Sequence, residues 1–208
     1  MSQILELASV VIKNLPEDID PSVAQGWIQN SKALKKALRE VLCPPEIAVD
    51  LPIVPILKLV TRDIPVTGST RFVAKDHFTR ENGFYPWDNF KDHFLDKVEE
   101  NISDTTLAIH RLEKPAVDAQ IRKELGQKRE EITLTHFFDL LKKQSKGENG
   151  HLLTNGYANI AYIRDKNGVL WVVFAFWLSV RLCWDVNARS VEHPDGWGDG
   201  RQVLSSDC

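Results

Sequence analysis

Asp185, Asn187 and Arg189 stand at alternate positions late in the chain, and Glu192, His193 and Asp195 follow them directly. Strand side chains alternate with a period of two, so WDVNARSV places a carboxylate, an amide and a guanidinium in one row. With Trp197 as a neighbouring wall, such a row can orient a small ligand. Two uses of it are open. The first is binding without catalysis. The second is a small hydrolase-like enzyme in which Asp185, Arg189 and His193 do the chemistry, with or without a divalent cation. The plainer reading is that any sheet with one wet face carries polar residues at its outward positions.

Other chemistry is thinner. The tetrapeptide Lys-Asp-His-Phe occurs at 75–78 and again at 91–94, and imidazole with carboxylate is a common metal pairing. The gap between the copies is not a ligand spacing, so they read as solvated Asp-His pairs beside buried phenylalanines. There is no GxSxG elbow and no activated-cysteine setting. The glycine cluster DGWGDG lacks GxxxxGK[ST] and carries acids that repel phosphate. Glu192, Asp195 and Asp199 offer oxygen ligands, but not in an EF-hand pattern. No cofactor and no metal are expected.

A second candidate surface lies near the start. In KALKKALREVL, Leu34, Ala37, Leu38, Val41 and Leu42 recur at helical spacing, with Lys32, Lys35, Lys36 and Arg39 on the other side. Like charges four apart cost a few tenths of a kcal/mol per pair. Four charges without interleaved aromatics do not make a nucleic-acid stripe, and nucleic acid is not the expected partner. Leu34 and Leu38, flanked by Lys35 and Arg39, instead suit a protein groove or a second copy of the chain.

Composition bounds these readings. In 208 residues, 43% are hydrophobic and 26% charged, the balance of a globular protein rather than a disordered one. A formal net charge of -3 gives no general attraction to polyanions. Cys43, Cys183 and Cys208 are odd in number and widely spaced, so neither a disulfide framework nor a zinc ribbon is encoded. A reducing, cytoplasmic location is the expectation. The N-terminal segment has no basic region before its apolar part and is not expected to be a secretory signal.

The residues above need elements to hold them. The apolar run from Gly168 to Arg181 is too short to cross a bilayer, which takes about 20 helical residues. Its β-branched and aromatic residues, preceded by Asn167-Gly168, predict a hairpin of YANIAYIR and VLWVVFAFW. A turn within LSVRLC leads to WDVNARSV, and RQVLS closes what is expected to be a four-stranded antiparallel meander. Trp184, Val186 and Ala188 form the dry face of the third strand. Upstream, ILKLVTRDIPV, TRFVAK and TTLAIHRL read as strands. Helices are expected after Asp20-Pro21, Ser31, Asp88 and Thr133, and over AVDAQIRKEL before Gly126. Prolines 44, 45, 52 and 55 interrupt any helix. The expected organisation is a small helical unit, residues 1–45, then an α+β body, 46–208, whose C-terminal meander is covered by helices.

The segments GWIQNSKALKKAL, WDNFKDHFL, HLLTNGYANIAYIRDKNGVLW and WDVNARSVEHPDGWGDGRQVLS resemble a family of uncharacterised bacterial proteins, known only as hypothetical reading frames. The resemblance extends over most of the chain, best after residue 87. It implies no activity and no residue role. The leading expectation is therefore a soluble, non-catalytic module for protein interaction, with no membrane association.

Overall fold

The computed structural model describes residues 3–16, 18–42 and 55–207. The chain divides into two compact units, Met1–Ile53 and Val54–Cys208. The proline-rich stretch where the sequence places a boundary at 45 falls mostly outside the described residues. Among the described residues, no helix is long and apolar enough to cross a membrane.

The first unit contains α1 (Gln3–Lys13), α2 (Pro21–Gln29) and α3 (Ser31–Leu42). Asp20 caps α2 as predicted, its carboxylate accepting from the Ser22 amide at 2.8 Å, with Pro21 at the first helical position. Ser31 is not the cap of α3. Asn30 takes that role, its Oδ1 accepting from Ala33 N at 3.1 Å.

The second unit is α+β. Its strands are β1 (Leu57–Val66), β2 (Ser69–Val73), β3 (Phe84–Pro86), β4 (Val98–Ile102), β5 (Thr105–Leu112), β6 (Asn159–Arg164), β7 (Leu170–Leu178), β8 (Cys183–Ser190) and β9 (Gln202–Ser206). Its helices are α4 (Ala74–His77), α5 (Asp88–Phe94), α6 (Asp118–Leu125) and α7 (Leu134–Lys142). Seven strands form one mixed sheet in the order β1-β5-β9-β6-β7-β8-β3, and β2 and β4 form a separate ribbon.

The hairpin β6–β7 forms through Asn167-Gly168, with Gly168 at φ +81°. Strand β8 then pairs antiparallel with β7. The expected four-stranded antiparallel meander does not form: the antiparallel run stops at these three strands, in a sheet that is mixed. Strand β9 does not continue beside β8; it runs parallel to β6 and antiparallel to β5. The free edge of β8 is taken by β3, in parallel. The reason lies in burial: Val203 and Leu204 point to opposite faces and both are fully buried, which requires a strand in the middle of the sheet.

Each face of the sheet carries a core. On one, α4, α5, α7 and the β2–β4 ribbon bring Phe72, Phe78, Phe90, Phe94 and Phe137 against Val173, Trp184, Val186 and Ala188. On the other, α6 and the loop after β8 bring Ile121, Leu125 and Trp197 against Ile160, Tyr162, Val172 and Val203. Thr133 caps α7 as expected, accepting from His136 N at 3.2 Å, and Gly126 ends α6 at φ +81°. Asp88 is not a cap. It lies inside the first turn of α5, whose cap position is Trp87 with no side-chain hydrogen bond.

Candidate functional site

The row Asp185, Asn187 and Arg189 does not form a wet face. It lies on the α6 side of the sheet, where Asp185 is buried and Asn187 and Arg189 are half-buried. Each meets different neighbours. One oxygen of Asp185 accepts from Trp87 Nε1 at 3.3 Å and the other from the Cys183 thiol at 3.6 Å. Asn187 accepts from the next backbone amide, Ala188 N, at 2.8 Å. Arg189 binds Asp118 on α6 at 2.9 Å and stacks 3.9 Å above the Trp197 ring.

The residues proposed for catalysis are therefore not brought together. Four strand positions separate Asp185 from Arg189, about 13 Å along β8. His193 lies beyond the far end of the strand, exposed, with Nδ1 accepting from Asp195 N at 3.3 Å. Trp197 is buried rather than free to wall a pocket: its Nε1 donates to Asp118 at 2.7 Å and its ring packs edge-on against Phe174. The Tyr162 hydroxyl donates to the same Asp118 oxygen at 2.9 Å, and burial first, then the Asp118 carboxylate, pushes its ionisation far above the usual range. Asp118, Tyr162, Arg189 and Trp197 thus form a closed polar knot between α6 and the sheet. It holds the fold.

The two Asp-His pairs are also separate. His77 stacks on Phe72 with ring centroids 4.5 Å apart, and burial lowers its pKa. His93 lies 3.4 Å from Asp165 and stacks on Trp171. Burial works to raise the Asp165 carboxyl, but the amides of Val169 and Asn167 and the His93 side chain together hold it below its ordinary value. Among the described residues, no three His, Cys, Asp or Glu side chains are arranged to hold a metal ion.

One serine-histidine contact exists inside the sheet. His110 Nε2 is 3.1 Å from Ser205 Oγ. The serine hydroxyl also lies 3.2 Å from the Ser206 carbonyl, a second acceptor for its proton. Ser205 is also fully buried, so the pair has no route to a substrate.

Among the described residues several cavities gather charged groups, and two bear on function. One, of about 410 Å³, is lined by Lys97, Glu99, Glu131, His136 and Arg164 among others. Its charges are matched within the protein. Lys97 pairs with Glu99 at 3.2 Å and Arg164 with Glu131 at 2.6 Å. Glu99 also accepts from the amides of Leu134 and Thr135 and from the Thr135 hydroxyl, which closes the start of α7.

The other cavity, of about 330 Å³, opens at the β3 edge of the sheet and is lined by Arg80, Phe84, Tyr85, Arg181 and Cys183. Local rules build it. Gly83 at φ +86° turns the chain into the short strand β3, which parallel pairing sets with Tyr85 opposite Asp185. The β7–β8 turn supplies Arg181, whose guanidinium lies 5.1 Å from the Tyr85 centroid, while Arg80 lies 4.8 Å from it. Burial, and then the Asp185 carboxylate, push the Cys183 thiol above its ordinary value, so it faces the cavity uncharged. Of these residues only Arg181 and Cys183 lie in a segment the sequence marks, the turn expected within LSVRLC. The rest meet through β3, whose sequence signal is Asn82-Gly83 before an aromatic run.

The expected partner residues lie on α3. Lys35, Leu38 and Arg39 are exposed and Leu34 is half-buried. No residue of α2 or α3 is buried. No family model, curated protein or solved structure matches this chain.

Proposed function

We propose that this chain is a non-catalytic, cytoplasmic binding module that engages a protein partner through its N-terminal helices. The observation that supports the reading is the exposure of apolar side chains along all three helices. They are Leu5, Leu7, Val10 and Ile12 on α1, Val23, Trp27 and Ile28 on α2, and Leu38, Val41 and Leu42 on α3. Helices that expose apolar side chains and bury none of their described ones gain little from folding by themselves, because tertiary burial supplies most helical stability. A partner that covers the stripe provides that burial.

Charge narrows the partner. Lys32, Lys35, Lys36 and Arg39 flank the α3 stripe, and only Glu40 opposes them there, 3.9 Å from Lys36. Two copies of α3 laid face to face would juxtapose these cations. An apolar groove with an acidic rim on a different protein complements them.

The test compares the full chain with its Leu34→Glu/Leu38→Glu variant. Cross-linking in cells followed by purification is expected to recover a stoichiometric protein partner with the wild type and to lose it with the variant. Equal recovery of every protein by both chains overturns the reading, as does a wild-type chain that yields none. Concentration-dependent dimerisation abolished by the same substitutions would replace the foreign partner with a second copy.

A further inference from the structure

Arg80 and Arg181 come from distant segments, yet both line one cavity beside Tyr85, with guanidinium carbons 4.8 and 5.1 Å from its ring centroid. Two cations on the wall of one cavity attract an anion that enters it. Among the described residues, no carboxylate is hydrogen-bonded to either guanidinium. The carboxylate paired with Arg181 among the described residues is Asp185, at 3.9 Å, beyond hydrogen-bond range. Both Asp185 oxygens already accept, from Trp87 and from Cys183. Arg80 forms no ion pair among the described residues. The guanidinium edges are left as unused donors on the wall of a concave space.

That space suits a small organic molecule. Its volume, about 330 Å³, falls at the lower end of ligand cavities, which run from roughly 300 to 1,000 Å³. Phe84, Tyr85 and Cys183 give it an apolar side. Nearby, Trp87, Val180 and Leu182 are exposed. Guanidinium is the group best matched to a planar carboxylate or a phosphate, because its paired N–H bonds meet two oxygens at once.

We propose that this cavity binds a small organic oxyanion, a carboxylate or a phosphate monoester joined to a compact apolar body. Arg80 and Arg181 hold the oxyanion and the Phe84–Tyr85–Cys183 wall takes the body. The residues that line the site all belong to the second unit, Val54–Cys208.

Calorimetric titration of the full chain with benzoate and with phenyl phosphate tests this. At least one of the two saturates a single site. Its affinity falls by at least about tenfold in Arg80→Gln and in Arg181→Gln, the loss of one charge-assisted contact. Arg80→Lys, which keeps the charge but not the paired donors, falls between. Arg71→Gln, which removes an exposed arginine on the separate ribbon, leaves it unchanged. Saturation by benzoate alone assigns a carboxylate ligand, and by phenyl phosphate alone a phosphate. The proposal is overturned if neither probe saturates, or if the Arg80 and Arg181 variants bind as tightly as the wild type.

Discussion

The guanidinium of Arg189 on β8 lies 2.9 Å from the carboxylate of Asp118, which is fully buried at the start of α6. The other oxygen of that carboxylate accepts from Tyr162 and Trp197. One acid therefore joins a helix, two strands and the loop that carries the chain across to β9.

Removing one member of this pair leaves a buried charge without its counter-charge, a change that costs about 3–5 kcal/mol in buried ion pairs. Arg189→Met is expected to lower stability by about 3 kcal/mol, read as a shift of the urea midpoint at constant slope. Asp118→Leu should do the same. The Arg189→Met/Asp118→Leu double variant is expected to lose less than the sum of the two. Additive losses would mean that the pair contributes nothing as a pair.

Acid should weaken the fold from near neutrality. His110 is held below its ordinary value of 6.5 by burial and then by Arg129 and Arg62, with Glu124 and Asp207 opposing. His77 shifts the same way, through burial and Lys142 against Asp76. A histidine kept neutral in the folded state binds its proton more readily when unfolded. Its contribution is complete above 6.5 and is lost as pH falls from there through the lower folded value. Urea midpoints should therefore decline as pH falls below 6.5, and His110→Gln should flatten the decline. An unchanged slope in that variant would show that His110 takes up its proton equally in both states.

Much of this framework is legible in residue order. Asn167-Gly168 and its flanking apolar runs specify the β6–β7 hairpin, and Thr133 and Gly126 mark helix ends where they occur. What is not legible is pairing between distant segments. The sequence of β9 reads as an ordinary closing strand, and its place between β5 and β6 depends on Val203 and Leu204 both finding cover. The Asp185–Asn187–Arg189 row shows the same limit. Alternation correctly gives them one face, but a polar row reads as wet, whereas Asp118 on α6 makes a half-buried arginine tolerable there. Arg80 and Arg181 carry no local pattern, since only the edge strand β3 brings them together.

Glu99 performs two tasks from one position. It accepts from Leu134 N, Thr135 N and Thr135 Oγ1 at 3.1, 2.8 and 2.6 Å, and it pairs with Lys97, which is nearly buried. Glu99→Ala leaves three donors and a cation unmatched, at a cost of about 1–3 kcal/mol for each buried group that water cannot reach. A loss of at least about 3 kcal/mol is expected, with amide exchange accelerated first at Leu134 and Thr135. Glu99→Gln should lose less, because its carbonyl still accepts. Unaltered exchange at those two amides would refute the capping role.

Leu182 adopts φ +51° at the tip of the β7–β8 turn while its side chain is 70% exposed. The left-handed region costs an L-residue such as leucine roughly 1–2 kcal/mol, and asparagine tolerates it because its short polar side chain bonds locally. In the isolated protein the exposed leucine side chain recovers none of that cost. Leu182→Asn is therefore expected to raise stability by up to about 1 kcal/mol, or roughly 2–4 °C in Tm for a domain of this size. Glycine also accepts the conformation but enlarges the entropy of the unfolded chain, so Leu182→Gly should gain less than the asparagine variant. Because the backbone of the turn is preserved, Arg181 keeps its place over Tyr85. A fall in Tm on Leu182→Asn would show instead that the leucine side chain is covered in solution, and would make the β7–β8 tip part of a contact surface.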